Sequence, residues 1–252
     1  MESSGPVTGD LRARPVFGES LARLGAAQKT ARGAPIYSLL VNRPLGRVIA
    51  AAAHVVGLTP NQVTAISAAV TYTGIVLIAV LPPSWAAGLG IAGLLVLGYA
   101  LDAADGQLAR LRGGGSLAGE WLDHVIDSGK IATLHLAVAV MVSRSLGLDP
   151  VWTLVPLAFS AVGVVHFFGM LLTELLGRLH AAGTTSAGPP ARASMVMSVA
   201  KLPTDYGLLC LSFVLLGLPM VFFLFYTVLA VATVGYTSLV LVAWYRRVAQ
   251  LD

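Results

Sequence analysis

The chain has 252 residues, of which 56% are hydrophobic and 11% are charged, whereas an ordinary soluble domain carries roughly 25% charged residues. The formal net charge is +4 and Cys210 is the only cysteine, so an internal disulfide is excluded. Together with a mean hydropathy of +0.81, these values exclude an ordinary soluble enzyme and a disulfide-stapled secreted protein. They indicate an integral membrane protein.

Two segments precede the most apolar part of the chain. Residues 1–35 are basic, rich in small residues and without a continuous apolar run, so we predict a flexible segment and not a cleaved signal peptide. Residues 36–58 combine an apolar face with polar residues, which predicts an amphipathic juxtamembrane helix lying on the membrane surface. Its polar residues are Asn42, Arg43, Arg47 and His54.

Residues 59–248 form the predicted catalytic membrane domain. A span needs roughly 20 mainly apolar residues, and six stretches qualify, at about 61–81, 85–110, 119–145, 151–178, 196–216 and 219–244. The predicted fold class is therefore all-α integral membrane, with six transmembrane helices after the amphipathic surface helix. All of the sixteen Lys and Arg residues except Lys130 and Arg144 fall on one side, which predicts that this side and both termini are cytoplasmic, in the cell membrane.

The acidic residues are concentrated in one region. Five of the twelve fall between Asp102 and Asp127, at the facing ends of the second and third predicted spans, and ionisable groups in such positions are costly and usually functional. Asp102 and Asp105 are three residues apart and Asp123 and Asp127 are four apart, so each pair shares a helix face. We predict that the four aspartates converge near the cytoplasmic surface.

Four carboxylates in a poorly solvated site repel one another unless cations balance their charge. Oxygen ligands favour Mg²⁺, with Mn²⁺ or Ca²⁺ as substitutes, and four carboxylates suffice to bridge two metal ions, an arrangement used for displacement at phosphorus. Gly106 lets a ligand approach the backbone, and Arg110 is suited to bind phosphate. Lys130 is expected to compensate the charge of Asp127 or to reach a substrate phosphate.

The complete pattern is more specific than its parts. The string Asp102-x-x-Asp105-Gly106-x-x-Ala109-Arg110-x8-Gly119-x3-Asp123-x3-Asp127 resembles the signature of the CDP-alcohol phosphotransferase family, also called the CDP-alcohol phosphatidyltransferase family. The six-span outline and the surface helix before the first span are similar to that family as well. The resemblance implies transfer of a substituted phosphate from a CDP-alcohol to the hydroxyl of a second alcohol, with release of CMP.

The same resemblance implies roles for the matching residues. Asp102, Asp105, Asp123 and Asp127 would bind Mg²⁺, two ions in each active site, and Asp127 would also be the general base that takes the proton of the acceptor hydroxyl. The CDP contacts would be Gly106, Ala109, Arg110 and Ser116, with Asn61 and Thr64 from the entry to the first span. A homodimer is implied by the resemblance alone, with membrane lipid as a further partner and no nucleic acid.

The two substrates are less closely constrained. CDP-diacylglycerol in phospholipid biosynthesis is the favoured donor because lipid-facing spans suit it. The acceptor pocket is expected at the cytoplasmic ends of the later spans, where the chain offers Arg178, Arg192, Lys201 and Asp205. The fourth span lacks the Lys-x-Arg type of cluster by which related enzymes hold a phosphorylated polyol, so the acceptor stays open.

Three alternatives remain. The run Asn42-Arg43-Pro44-Leu45 is similar to the lead-in of enzymes that use CDP-inositol, which keeps open inositol-phosphodiester synthesis from a soluble CDP-polyol. A metal-ion transporter would also have intramembrane carboxylates, but its acidic residues should continue across the bilayer, whereas these stop near one face. An inactive membrane scaffold is disfavoured by the intact set of aspartates.

Overall fold

A computed structural model describes residues 16–26, 35–183 and 204–251. The described chain is all-helical, with eight α-helices and no strand. They are α1 (Phe17–Ala26), α2 (Arg43–Val56), α3 (Pro60–Val80), α4 (Trp85–Leu111), α5 (Leu117–Ser145), α6 (Leu154–Gly183), α7 (Tyr206–Ser212) and α8 (Pro219–Val248). A π-helical turn (Ser38–Asn42) leads into α2, and 3₁₀ turns precede α6 (Pro150–Thr153) and follow α7 (Phe213–Gly217).

Within the described residues, six helical stretches are long and apolar enough to cross a membrane, so this is a multi-pass membrane protein. They are Ser38–Val56, Pro60–Val80, Trp85–Leu111, Leu117–Ser145, Pro150–Ala181 and Pro219–Val248. The number equals the predicted six, and the last five coincide with predicted spans to within a few residues. The set of candidate spans differs from the prediction at one segment. Ser38–Val56 qualifies as a span although it was predicted to lie on the membrane surface. The described part of the predicted fifth span is the shorter apolar helix Tyr206–Gly217.

Helix α2 packs beside the last turns of α4. A Cβ atom on Gly46 would lie 2.9 Å from both Ala103 Cβ and Gln107 Nε2, so glycine allows the two helices to approach closely. Helix α1, for which the sequence predicts no regular element, buries Leu24 in the same cluster with Leu108 of α4. These contacts hold α1 and α2 at the end of the bundle where α4 stops.

The long helices form a ring around a shared apolar core. Helix α3 packs against α4 and α5, α5 against α6, and α6 against α8, while α7 and the 3₁₀ turn after it join α8 to α4. The fully buried side chains at the centre include Leu95, Leu134, Phe213, Phe222 and Tyr226. The ring fixes which helix ends are neighbours.

Local signals set the helix ends that carry the predicted site. Thr59 and Gln62 form a reciprocal capping box at the start of α3, which satisfies backbone N–H groups of the first turn. Gly113 and Gly114 have φ angles of +98° and +133°, which favour glycine, and they let the chain turn from α4 into α5. Ser116 then caps α5. The end of α4 and the start of α5 therefore lie at the same end of the bundle, and both helices pack against α3.

Candidate active site

The structure brings the signature aspartates together at the junction of α4 and α5. Carboxylate oxygens of Asp102, Asp123 and Asp127 all lie within 4.8 Å of one another. Asp105, one turn beyond Asp102, is buried and accepts a hydrogen bond of 2.5 Å from the Thr64 hydroxyl on α3. Clustered carboxylate oxygens are the ligands that hard divalent cations prefer, so this cluster can hold a metal ion.

Lys130 places a cation at the edge of the cluster. Its Nζ atom lies 2.5 Å from Asp102 Oδ1 and 3.1 Å from Asp127 Oδ1, and its side chain is only 6% exposed. The same ammonium group lies 3.4 Å from Ser67 Oγ, whose hydroxyl donates to the Gly98 carbonyl. The expected pairing with Asp127 is confirmed. The pairing with Asp102 was not predicted, and it joins α5 to α4.

A cavity of about 260 Å³ opens beside the aspartates. Asp102, Asp105 and Asp123 form its acidic part, and Gly106 and Arg110 lie in the same wall on α4. The other lining residues are Ser38, Asn42, Arg43, Tyr99, Ala103 and Gln107. A cavity with both carboxylate and guanidinium groups suits a ligand that carries phosphate together with a divalent cation.

Sequence reasoning missed two groups of lining residues. Tyr99, Ala103 and Gln107 fall on the helix face of Gly106 and Arg110, so helical spacing alone would have identified them. Residues 38–43 reach the cavity from a different element. No local pattern in that segment indicates the contact.

The remaining predicted CDP contacts are not among the residues that line this cavity. The Thr64 hydroxyl donates to Asp105. Asn61 lies against α5, where a Cβ on Gly119 would be 2.9 Å from Asn61 Oδ1, and the Ser116 hydroxyl accepts a hydrogen bond from the Gly119 N–H. Ala109 lies at the end of α4, beside the glycine turn. Their contacts with CDP stay predictions.

The predicted acceptor residues have structural partners where they are described. Arg178 on α6 pairs with Glu120 at 2.7 Å and with Glu174 at 3.6 Å. Asp205 is 2% exposed and accepts hydrogen bonds from the backbone N–H groups of Tyr37 and Gly207. Arg192 and Lys201 lie outside the described residues. Acceptor binding by any of the four stays a prediction.

Comparison with known proteins identifies the family. A family model described as CDP-alcohol phosphatidyltransferase matches residues 57–244, well over half of the chain. The chain belongs to this family. It is accordingly a transferase of substituted phosphate groups that uses a CDP-alcohol donor and an acceptor. The resemblance inferred from the signature is confirmed.

The matched range contains the four aspartates, Arg110 and Lys130, but it begins after α2. None of the curated proteins matches the chain. Family membership therefore establishes the class of reaction and leaves the two substrates to be identified by experiment.

Proposed function

We propose that this transferase moves a phosphatidyl or similar substituted phosphate from a CDP-alcohol, with CDP-diacylglycerol as the favoured donor, to the hydroxyl of an acceptor alcohol, and that it releases CMP in phospholipid biosynthesis. The observation that carries the proposal is the shared cavity of three signature aspartates with Gly106 and Arg110. Its carboxylates can hold a cation, and its guanidinium can hold a phosphate.

A lipid donor is supported by the surface next to the cavity. Leu117, Trp121 and Val125 follow one another at four-residue spacing on α5 and are 86%, 66% and 47% exposed. This apolar stripe runs along the same turns of α5 that carry Asp123. Acyl chains of a bound lipid could therefore lie against the stripe while the nucleotide occupies the cavity.

Each residue has a defined task in this proposal. The acceptor oxygen attacks the outer phosphorus of the donor, its proton passes to the Asp127 carboxylate, and the bond to the bridging oxygen breaks so that CMP leaves with the electron pair. Lys130 orients Asp127 through their ion pair. Two Mg²⁺ ions, held by Asp102, Asp105, Asp123 and Asp127, would supply the positive charge that neutralises the diphosphate.

We also propose that the site and both termini face the cytoplasm of the cell membrane, and that the enzyme works as a homodimer. The orientation is supported by the basic residues, because Arg110 and Arg112 lie at the site end of the helices whereas Arg144 lies at the opposite end of α5. Basic residues are retained on the cytoplasmic side. The dimer rests on the family resemblance alone.

The test is CMP release by the purified protein with Mg²⁺. CDP-diacylglycerol and CDP-inositol are each offered with inositol, inositol phosphate, glycerol phosphate, serine and lipid alcohols. Acceptor-dependent CMP from one pair identifies the donor and the acceptor together. Formation of CMP from CDP-inositol alone would replace the lipid donor by a soluble one.

The proposed base has its own test. Asp127→Asn is expected to reduce turnover by about 10²–10⁴, the usual contribution of a general base, while CDP binding stays within a few-fold of the unchanged protein. Asp149→Asn is the matched control because Asp149 is exposed and caps the 3₁₀ turn before α6. Normal turnover by the Asp127→Asn protein would rule out this role.

A further inference from the structure

The segment Ser38–Arg43, which leads into the first turn of α2, forms part of the cavity wall although it precedes the family-matched range. Ser38, Asn42 and Arg43 line the cavity together with the signature residues of α4 and α5, whereas the family match begins at residue 57. Asn42 is 3% exposed. A polar segment buried against a reaction site is a candidate for recognising the ligand that fills it.

The π-helical turn determines which side chains of this segment face the cavity. The Arg43 N–H donates to the Ser38 carbonyl, a bond that spans five residues. In an α-helix a residue five positions along would be rotated by roughly 140°, whereas in a turn closed by this bond it returns to the same face. Such π turns are rare and occur frequently at functional sites.

Contacts on both sides hold the segment in place through its backbone. The Tyr37 N–H donates to the buried Asp205 carboxylate at 3.1 Å. Gln107 Nε2 donates to the Arg43 carbonyl at 3.2 Å, and Gly46, one turn further on, packs directly against α4. These contacts fix the backbone of the segment, and with it the position at which the Arg43 side chain begins.

The charges in the cavity indicate the class of ligand. Arg43 and Arg110 both line it, and their positive charges are near enough to repel each other. Two neighbouring guanidinium groups can each offer two parallel hydrogen bonds to a phosphate, which also relieves their repulsion. The aspartates at the acidic end of the same cavity are suited to bind cations and not phosphate.

We propose that Arg43 acts with Arg110 to bind a phosphate group of a substrate, so that the Ser38–Arg43 segment is a substrate-recognition element outside the family signature. This inference rests on the proposed function, which supplies phosphate from two sources: the diphosphate of the CDP-alcohol donor and the phosphate of a phosphorylated acceptor. The chemistry of recognition is the same for both.

The experiment measures equilibrium binding to the purified full-length protein in detergent with Mg²⁺. The probes are CDP, cytidine, glycerol phosphate and inorganic phosphate. Arg43→Ala and Arg43→Lys are compared with Arg47→Ala, a matched control because Arg47 lies one turn further along α2, does not line the cavity and faces α1 near Gly25.

Arg43→Ala is expected to weaken CDP binding by about tenfold or more, since hydrogen bonds between charged groups are lost. The CDP affinity of Arg43→Lys should lie between those of Arg43→Ala and the unchanged protein, because lysine keeps the charge and loses the paired hydrogen bonds. Arg43→Ala should not change the affinity for cytidine, which lacks phosphate. Arg47→Ala should leave the affinity for every probe unchanged. A loss for glycerol phosphate with CDP unaffected would assign Arg43 to the acceptor phosphate.

Unchanged binding of both CDP and glycerol phosphate in Arg43→Ala would overturn the inference. An equal loss of cytidine affinity would also overturn it, because that result would indicate a general distortion of the cavity. If the unchanged protein binds none of the nucleotides, the proposed function fails, and the inorganic phosphate arm alone then decides the role of Arg43: weaker binding in Arg43→Ala supports it, and equal binding refutes it.

Discussion

Replacing Lys130 by methionine removes the cation from the aspartate cluster and keeps an unbranched side chain of similar length. At an effective dielectric constant of about 20, the Coulomb attraction at the observed 2.5 Å and 3.1 Å is about 7 and about 5 kcal/mol. Burying the three charges offsets most of this attraction. Removing one partner of a buried ion pair typically costs about 3–5 kcal/mol, and we expect a loss of that size in Lys130→Met.

A divalent cation should restore much of this loss. Once Lys130 is gone, Asp102 and Asp127 lack the cation that balances their charge, and a bound Mg²⁺ can supply the missing positive charge. We therefore expect Lys130→Met to be strongly destabilised in EDTA, to regain stability with Mg²⁺ by more than the unchanged protein gains, and to bind Mn²⁺ more tightly. Thermal unfolding in detergent measures the first two effects, and Mn²⁺ titration followed by electron paramagnetic resonance measures the third.

The controls separate charge from packing. Lys130→Arg keeps the charge and should lose less stability. Arg144→Met removes a cation from the opposite, exposed end of the same helix, where the side chain donates to the Ala79 carbonyl, and its stability should not depend on Mg²⁺. The reasoning is refuted if Lys130→Met is as stable as the unchanged protein in EDTA, or if Mg²⁺ stabilises both proteins equally.

Two other substitutions test contacts near the site. Thr64→Val removes the hydrogen bond to Asp105 and should cost about 1.5–3 kcal/mol of unfolding free energy and weaken Mn²⁺ binding. Thr73→Val is the control because it removes an exposed hydroxyl of the same helix. Equal Mn²⁺ affinity of the two variants would contradict this expectation. Gly46→Val forces side-chain atoms into α4 and should lower the unfolding free energy by about 1–3 kcal/mol and weaken CDP binding. Gly90→Ala, where the added atom meets open space, should change neither stability nor CDP binding. A normal melting temperature for Gly46→Val would argue against the close packing of α2 and α4.

Most of the long helices could be predicted because their signals are local. Apolar runs of membrane length are bounded by caps and turns, so the predicted starts at residues 61, 85 and 219 fall within one residue of Pro60, Trp85 and Pro219. Helix α1 could not be predicted in this way. It has ten residues, too few to be stable alone, and packing of Leu24 against its neighbours stabilises it.

The candidate site also combines contacts that local sequence patterns predict with contacts that they do not. The convergence of the aspartates follows from helical spacing on two segments joined by a short turn, both of which can be read from the sequence. The contact between Lys130 and Asp102 depends on how α4 and α5 are rotated relative to each other, which no local pattern encodes. The position of Arg43 depends on a π turn and on the fit of Gly46 against α4, neither of which has a sequence signature.

Polar contacts connect helix α5 to four neighbouring helices. They affect how the protein would respond to a change in bilayer thickness. Besides the Lys130–Asp102 ion pair to α4, the contacts include Tyr72 OH to the Ile126 carbonyl, Ser160 Oγ to the Ala132 carbonyl and His135 Nδ1 with Tyr226 OH. Tilting α5 alone would break them. Hydrophobic mismatch should therefore be met by tilting the bundle as one body, with the spacing of the aspartates preserved in thin and thick membranes alike.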